Sequence, residues 1–353
     1  PTRDSSMEGA LLMTVPYKGV PIFNKDGTFR KEDDIVQGRS FSSNLTKLLK
    51  QLPKLENLQQ GKPPSPVMAH ISLTNACNLT CSFCCFANRD ISEKMPTETV
   101  LKALDSFKAI GVTGVEFTGG GEPSIHPDFK KIVRYAKDLG FSLGICTNAA
   151  RFGMDRPIKK DIVELFDWVR MGMYGFYEGY EYDLRVFEGT NCKPSAAYVW
   201  DENLATSNNP NITGEWTDVK NKRIQSKKFQ TTDNFVRMLD WVEENKIPCR
   251  IAFNAIKDVK ETAKDIETIR GIIEEYEKDR GRKLQSAFLS DFNFKGERRN
   301  DHCYMHMVKP FLFTDGYIYA CPSAELSIEN NYNYVPESQF AVCDVDGIID
   351  FYS

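Results

Sequence analysis

Cys77, Cys81 and Cys84 carry the densest chemistry in this sequence: three thiols in eight residues, separated by three and then two positions, within ISLTNACNLTCSFCCFA. Deprotonated thiols are the preferred ligands of iron–sulfur clusters and of zinc, and one short loop can turn three of them onto a single soft metal centre. A zinc knuckle would space its cysteines by about two to four residues and repeat the pair further on. Here no fourth ligand lies nearby. Three ligands to a 4Fe–4S cluster leave one iron with an open position, and an open metal position is where chemistry on a small molecule can happen. Cys85 adjoins the third thiol, but adjacent side chains diverge, so it reads as a small buried apolar residue. Cys146 and Cys249 lie in strand-like stretches and read the same way, or as hydrogen-atom donors if they face an enclosed site; Cys192 stays open.

Thiols so placed need a rigid base, and the flanking sequence supplies one. Residues 67–74, VMAHISLT, read as a strand that delivers the cysteine loop. Pro96 opens a helix over 96–110, with Leu101, Leu104 and Phe107 on one face and Gly111 at its end. Strand 112–118, helix 127–139, strand 141–146, helix 158–165 and strand 167–174 continue the alternation. After a break it resumes with helix 232–245, strand 248–254, helix 259–278 and strand 284–289. Repeated strand–helix units imply a parallel sheet with right-handed crossovers. The expected fold class is α/β, a partial (β/α)6 TIM-like barrel with an N-terminal extension and a small C-terminal cysteine-containing hairpin module.

Directly after the second strand comes Gly119-Gly120-Gly121-Glu122-Pro123. Glycines there allow positive φ and close backbone approach, and their unhindered backbone can hydrogen-bond a small polar ligand. The Lys and Ser/Thr of a phosphate loop do not follow. Glu122 reads as a brace for the turn, and Pro123 fixes its exit.

The cysteine triplet with an aromatic residue, Phe83, just before its third member, followed in order by this glycine turn, resembles the radical S-adenosylmethionine (SAM) enzymes. The resemblance implies an open six-stranded barrel and a 4Fe–4S cluster on Cys77, Cys81 and Cys84 whose open iron chelates the amino and carboxylate groups of SAM. It implies reductive cleavage of SAM to methionine and a 5'-deoxyadenosyl radical, with flavodoxin or ferredoxin as electron donor. Gly119, Gly120 and Gly121 would meet the SAM amino group, with Glu122 and Pro123 holding the turn. Phe83 would flank the adenine or pack under the cluster loop. Asn148, at the end of the third strand, would contact the ribose or the methionine carboxylate, or cap a turn. Glu116 and Arg170 interrupt apolar strands, and charges are rarely buried without partners. They are the catalytic candidates, able to pair with each other, to bind SAM or to bind the substrate.

Residues 1–66 read as an N-terminal strap or lid, with a short amphipathic helix over 43–55 and a stiff proline-rich connector over 60–66; a recognition module for a peptide is the sharper alternative. Residues 67–296 form the barrel. Within them 175–230, rich in Tyr, Asn, Lys and Gly, exceeds ordinary connection length and reads as an insertion. Its aromatic residues Tyr177, Tyr180, Tyr182, Trp200 and Trp216, with Tyr174 before it, line a substrate entrance or form a small core of their own.

Residues 297–353 change character. Asp315-Gly316 makes a hairpin between PFLF and YIYA that would bring Cys303 and Cys321 together, and Cys343 follows. The pattern resembles the start of the twitch and SPASM modules of some radical SAM enzymes, which implies an auxiliary 4Fe–4S cluster on Cys303, Cys321 and Cys343. It departs from them in lacking a fourth cysteine; His302, His306, a thiol beyond Ser353 or bound substrate would complete the set. The competing reading is a reduced hairpin core or a structural zinc site. Residues 347–352 read as the opening of an element, so the chain is expected to continue past Ser353.

With 353 residues, 27% charged and 41% apolar, composition is that of an ordinary globular chain. A formal net charge of -4 gives no general pull toward nucleic acid or anionic lipid. The basic residues Lys220, Lys222, Arg223, Lys227 and Lys228 read as a solvated face rather than an RNA site. No apolar run approaches a membrane span, no secretory signal opens the sequence, and clustered cysteines suit a reducing compartment, so a cytoplasmic location is expected. The expected activity is hydrogen abstraction from an unactivated carbon, as an oxidoreductase or modifying enzyme that oxidises or cross-links a peptide or natural product. Alternatives are dehydrogenation or epimerisation of a small sugar or aminocyclitol, RNA modification, or a noncatalytic metal scaffold.

Overall fold

Strands with one face toward an enclosing layer of helices should alternate between closed and half-open positions; the stretch 193–200 shows this pattern clearly, whereas 68–71 is buried throughout. The computed structural model describes residues 54, 60, 66–79, 81, 83, 84, 86, 90–152, 157–200, 231–253, 259–289, 305–320 and 341–352. The readings made for 1–53, for 201–230, and for Cys85, Cys303 and Cys321 lie outside the described residues.

Seven parallel strands run in sequence order: β1 (Met68–Ile71), β2 (Gly114–Phe117), β3 (Ser142–Thr147), β4 (Trp168–Gly172), β5 (Lys193–Trp200), β6 (Cys249–Phe253) and β7 (Ala287–Leu289). Between them lie helices α1 (Thr97–Ala109), α2 (Phe129–Asp138), α3 (Lys160–Val163), α4 (Gly175–Glu178), α5 (Thr232–Glu244) and α6 (Val259–Arg280). Ala69, Ile71, Val115, Phe117, Leu143, Ile145, Val169 and Met171 are buried together with Val100, Leu104 and Phe107 of α1 and Ile132, Val133 and Ala136 of α2. This shell between sheet and helices is the hydrophobic core, and its burial drives closure of the sheet. The opposite strand faces line a lumen.

The strand–helix rhythm read from the sequence is present, with one more strand than expected. β5 lies inside the stretch read as insertion 175–230, pairing in parallel with β4 on one side and β6 on the other. Its alternate residues Ala196, Tyr198 and Trp200 are buried, and Phe235 of α5 meets the rings of Tyr198 and Trp200 at 5.4 Å each. Thr231 caps that helix, its hydroxyl accepting from the Asn234 N–H at 3.1 Å. The strands read at 248–254 and 284–289 are therefore sixth and seventh in the sheet. Lys193, Pro194 and Ser195 open β5 and leave only a short apolar run, 196–200, which periodicity alone does not single out as a strand.

The C-terminal segment joins the sheet at its other edge. After α7 (Met305–Val308), β8 (Phe311–Leu312) pairs in parallel with β1, and β9 (Tyr317–Tyr319) folds back on it through the Asp315-Gly316 turn, with Gly316 at φ +84°. β10 (Ala341–Asp344) adds antiparallel to β9, giving the order β10-β9-β8-β1-β2-β3-β4-β5-β6-β7. The hairpin foreseen between PFLF and YIYA is present, and it is continuous with the barrel sheet rather than appended to it. The helix α8 (Ile348–Tyr352) closes the described chain against α1.

Candidate functional site at the carboxyl ends of the strands

Parallel strands that end together place their following loops side by side, and here three such loops interlock. The chain leaving β1 is fixed first: the Asn75 N–H donates to the Glu93 carbonyl at 2.9 Å and the Asn75 side chain to the Glu93 carboxylate at 3.0 Å. The cysteine loop is thus pinched where it starts and returns. The glycine turn after β2 lies directly on it. The Gly121 N–H donates to the Thr74 carbonyl at 2.6 Å, and the Glu122 N–H to the Ala76 carbonyl at 2.9 Å. A Cβ on Gly121 would stand 1.8 Å from the Ala76 oxygen, and one on Gly120 2.4 Å from the Ser72 hydroxyl. Only glycine permits that approach.

Glu122 carries the connection on to β3. Its buried carboxylate accepts from the Ser124 N–H at 3.1 Å, the Thr147 hydroxyl at 2.7 Å and the Asn148 N–H at 2.7 Å. Burial raises this carboxyl and the three donors oppose the rise. Asn148 returns to the cysteine loop: its amide donates to the Asn78 side chain at 2.7 Å and lies 3.7 Å from the Cys77 sulfur. Its own oxygen accepts from the Ala150 N–H at 3.0 Å, the capping role weighed for it above. The Phe83 ring lies 5.5 Å from that of Tyr174 and packs against the core, and Pro123 is buried at the start of a short 3-10 turn.

Cys77, Cys81 and Cys84 are reduced and half-buried on this loop. They share Tyr174 as a neighbour, whose hydroxyl is pushed well above its ordinary range by burial first and then by Cys81, Cys84 and Cys77. Among the described residues no three Cys, His, Asp or Glu side chains converge closely enough to hold a metal ion. The chemistry of the donor set nevertheless fits an iron–sulfur cluster: three thiols on one loop, clamped by backbone bonds, with no carboxylate or imidazole competing. A Leu79 N–H lies 3.5 Å from the Cys77 sulfur, the type of donor that stabilises a cluster thiolate.

Below these loops the lumen is charged. Glu116 lies on β2, with Lys309 Nζ at 2.6 Å, Arg170 of β4 at 3.7 Å and the Cys146 thiol of β3 at 3.3 Å. The pairing of Glu116 with Arg170 was one of the readings open from sequence, and it is present. Burial would raise the Glu116 carboxyl, but the charges around it hold it well below the ordinary range. His70, next to Glu116 across β1 and β2, is driven down to about 3 by burial and is neutral at pH 7, so Lys309 and Arg170 are the counter-charges. Burial pushes the Cys146 thiol up to about 11, so it keeps its proton.

His70, Lys309 and Arg250 were not among the candidates. The signal that found Glu116 and Arg170, a polar residue inside an apolar strand, also marks His70 in VMAHI and Arg250 in CRIAF. Lys309 carries no such mark and reaches Glu116 only because β8 pairs with β1. Of the C-terminal cysteines, Cys343 is described: it sits on β10 opposite Ile318, its thiol pushed up to about 11 by burial and then by Asp344. The aromatic residues foreseen as an entrance or a small core mostly pack: Tyr182 lies 5.3 Å from Trp241 of α5, donates to the Gly172 carbonyl and accepts from the Gly175 N–H. Tyr180 donates to the Asn148 carbonyl at 2.6 Å.

A barrel of parallel strands with three thiols and a glycine turn on its carboxyl rim is the arrangement that the resemblance to the radical SAM enzymes implies. Residues 71–178, the stretch that holds both signatures, match the family described as the Radical SAM superfamily, so this stretch is a radical SAM domain. It is 32% identical over 98 residues to an S-adenosylmethionine-dependent nucleotide dehydratase of Selenomonas ruminantium, covering 28% of this chain and 35% of the relative. Identity is 37% over 98 residues to a tungsten-containing aldehyde ferredoxin oxidoreductase cofactor-modifying protein of Pyrococcus furiosus, covering 27% of each. The match thus spans about a third or less of the curated relatives. In fold, the chain is similar to SuiB of Streptococcus suis bound to its precursor peptide SuiA, with a TM-score of 0.50 at 17% identity over 89% of this chain and 71% of that one. No helix among the described residues is long and apolar enough to cross a membrane.

Proposed function

We propose that Cys77, Cys81 and Cys84 hold a 4Fe–4S cluster that binds SAM at its open iron, and that the enzyme abstracts hydrogen from an unactivated carbon of a peptide or natural product, oxidising or cross-linking it. The observation that carries this reading is the interlock of the thiol loop with the glycine turn, through the Gly121 to Thr74 and Glu122 to Ala76 bonds. When bound, such a cluster supplies the electron that breaks SAM into methionine and a 5'-deoxyadenosyl radical. The chain's own part is placement. An ammonium needs acceptors, and since the Gly121 N–H is engaged, the carbonyl oxygens of Gly119 and Gly120 are what the turn offers it. Glu122 holds that turn to the end of β3, Pro123 sets its exit, Phe83 flanks the adenine, and Asn148 fixes the Cys77 side of the loop. Glu116 and Arg170 shape the charged floor on which the substrate rests.

Peptide modification is supported by β7 forming the edge of the sheet among the described residues, and by the precursor peptide bound to SuiB. We assign residues 1–66 to a strap, 67–296 to the barrel and 297–353 to an auxiliary module in which Cys303, Cys321 and Cys343 hold a second 4Fe–4S cluster. That cluster would accept the second electron of an oxidation whose first electron leaves with the abstracted hydrogen atom, and flavodoxin or ferredoxin in the cytoplasm would supply the separate electron for SAM cleavage.

A second reading, epimerisation of a small sugar or aminocyclitol, is favoured by one observation. The Cys146 thiol faces the lumen in its protonated form. It could return a hydrogen atom to a substrate radical, the resulting thiyl radical then being reduced by the external donor.

The test is anaerobic reconstitution followed by iron and sulfide analysis and SAM cleavage, for the wild type and a Cys303→Ala, Cys321→Ala double variant. About eight irons falling to about four, with 5'-deoxyadenosine still formed, is the expected result for two four-iron clusters. About four irons in both removes the auxiliary cluster. Zinc alone and no SAM cleavage by the wild type refutes the reading.

A further inference from the structure

Among the described residues, the lumen holds more positive charge than it neutralises. Arg170 on β4, Arg250 on β6 and Lys309 before β8 face it, and Glu116 is the acidic side chain that meets them among the described residues. His70 is neutral and contributes no charge. Glu116 is consumed by Lys309 at 2.6 Å and Arg170 at 3.7 Å, which leaves Arg250 without an ion pair among the described residues. Its Nε is buried with no hydrogen-bond partner. The Arg250 side chain is half-buried, and a buried guanidinium N–H is ordinarily paired, because an unpaired one forfeits its hydration for nothing in return. The nearest strong influence on Arg250 after burial is repulsion from Arg170.

Sheet register explains why these two cations share one space. Arg170 pairs with Ser195 across β4 and β5, and Arg250 pairs with Ala197 across β5 and β6. At the two positions paired with the arginines, the strand between them therefore presents a hydroxymethyl and a methyl group to the lumen, with Val199 next on the same face. Trp168, whose ring crosses β3 where a Cβ on Gly144 would meet it at 2.1 Å, fills the floor one layer below. The result is a small-walled recess with two forked cations on adjoining sides, a geometry that matches the oxygens of a carboxylate or phosphate.

We infer that the recess between Arg170 and Arg250, over Ser195 and Ala197, binds an anionic group of the substrate, a carboxylate or a phosphate, and so fixes the carbon presented to the thiol-loop rim. This deepens the proposed function and rests on it for the identity of the ligand as substrate. Recognition is through the fork of Arg250, whose partner the anion becomes, with Arg170 shared between the anion and Glu116. The substrate class is thereby narrowed to molecules with an acidic group near the reacting carbon, such as a peptide acidic side chain or C-terminus, or a phosphorylated metabolite.

The experiment is calorimetric titration of the full-length reconstituted protein with orthophosphate and, in a separate arm, with succinate, at constant ionic strength. Wild type is expected to bind one of the two saturably. Loss of a charge-assisted fork should weaken that binding about tenfold to a hundredfold in Arg250→Gln. Ala197→Leu, which fills the recess without changing charge, should weaken it as well and keeps the test valid if the arginine variant does not fold. Saturation by phosphate alone or by succinate alone decides between the two sources. No saturable binding by wild type, or equal binding by both variants, overturns the inference; so does competitive displacement of the anion by SAM, which would give the recess to the SAM carboxylate. SAM cleavage by the same wild-type preparation is scored separately. Its absence would refute the proposed reaction without altering the anion result.

Discussion

Gly121→Ala should uncouple the cysteine loop from the barrel, and the size of the effect follows from the geometry. A Cβ at this position would lie 1.8 Å from the Ala76 oxygen, 2.4 Å from its carbonyl carbon and 2.6 Å from that of Asn75. Ordinary contact begins at 3.4 Å, so the two backbones must separate by 3.4 − 1.8 = 1.6 Å. All three obstacles are backbone atoms, so no side chain can rotate away. The Gly121 to Thr74 bond of 2.6 Å and the Glu122 to Ala76 bond of 2.9 Å would both open beyond 4 Å, outside hydrogen-bonding range. Two lost backbone bonds, partly buried, cost about 2–5 kcal/mol. At this chain size that lowers the melting temperature by roughly 3–7 °C. The same displacement moves the thiols of Cys77, Cys81 and Cys84 off a common centre, so iron per chain after anaerobic reconstitution should fall. Gly271→Ala is the control: it lies in α6 with no atom within 4 Å of an added Cβ, and it should stabilise by about 0.5–1 kcal/mol. A Gly121→Ala protein with wild-type iron content and unchanged melting would refute the claim that this contact holds the loop.

Glu116→Gln should destabilise by about 3–5 kcal/mol at pH 7, because Lys309 and Arg170 lose their buried counter-charge. The folded carboxyl lies below its unfolded value of about 4.3, so its stabilisation is present above that pH and is lost as pH falls toward the folded value. Urea unfolding should therefore show wild type and variant converging below about pH 4; a gap that stays constant with pH counts against the ion pair. Glu122→Gln puts an amide N–H2 where a carboxylate oxygen accepts from Asn148 or from Ser124 and Thr147, and should cost about 1–3 kcal/mol, read as lower melting together with altered SAM affinity. Phe235→Ala should cost about 3–5 kcal/mol by opening a cavity against Tyr198 and Trp200, and a near-neutral result would mean that β5 is not a core strand.

What the sequence determined by itself was local. The spacing of Cys77, Cys81 and Cys84 and the run of glycines before Glu122 are read within a few residues, and the alternation of apolar strands with amphipathic helices is read within a dozen or so. Those signals sufficed for a parallel α/β barrel with its thiols at a strand end, and for the hairpin at Asp315-Gly316. Where one face of a strand is built of large apolar residues and the other of small ones, as in β5 with Ser195 and Ala197, the pattern weakens, because a lumen does not demand the large apolar residues that a core does. The tertiary structure alone decided which charges meet. His70, Glu116, Arg170, Arg250 and Lys309 come from five separate segments, and each strand shows only that it carries a polar residue, not which neighbour that residue faces. Register sets Arg170 and Arg250 on either side of two small residues, and the pairing of β8 with β1 swings Lys309 onto Glu116. Hydrogen bonds between distant strands are identical whatever the side chains. The choice of partner therefore rests on the packing of the whole sheet, which no short stretch of sequence contains.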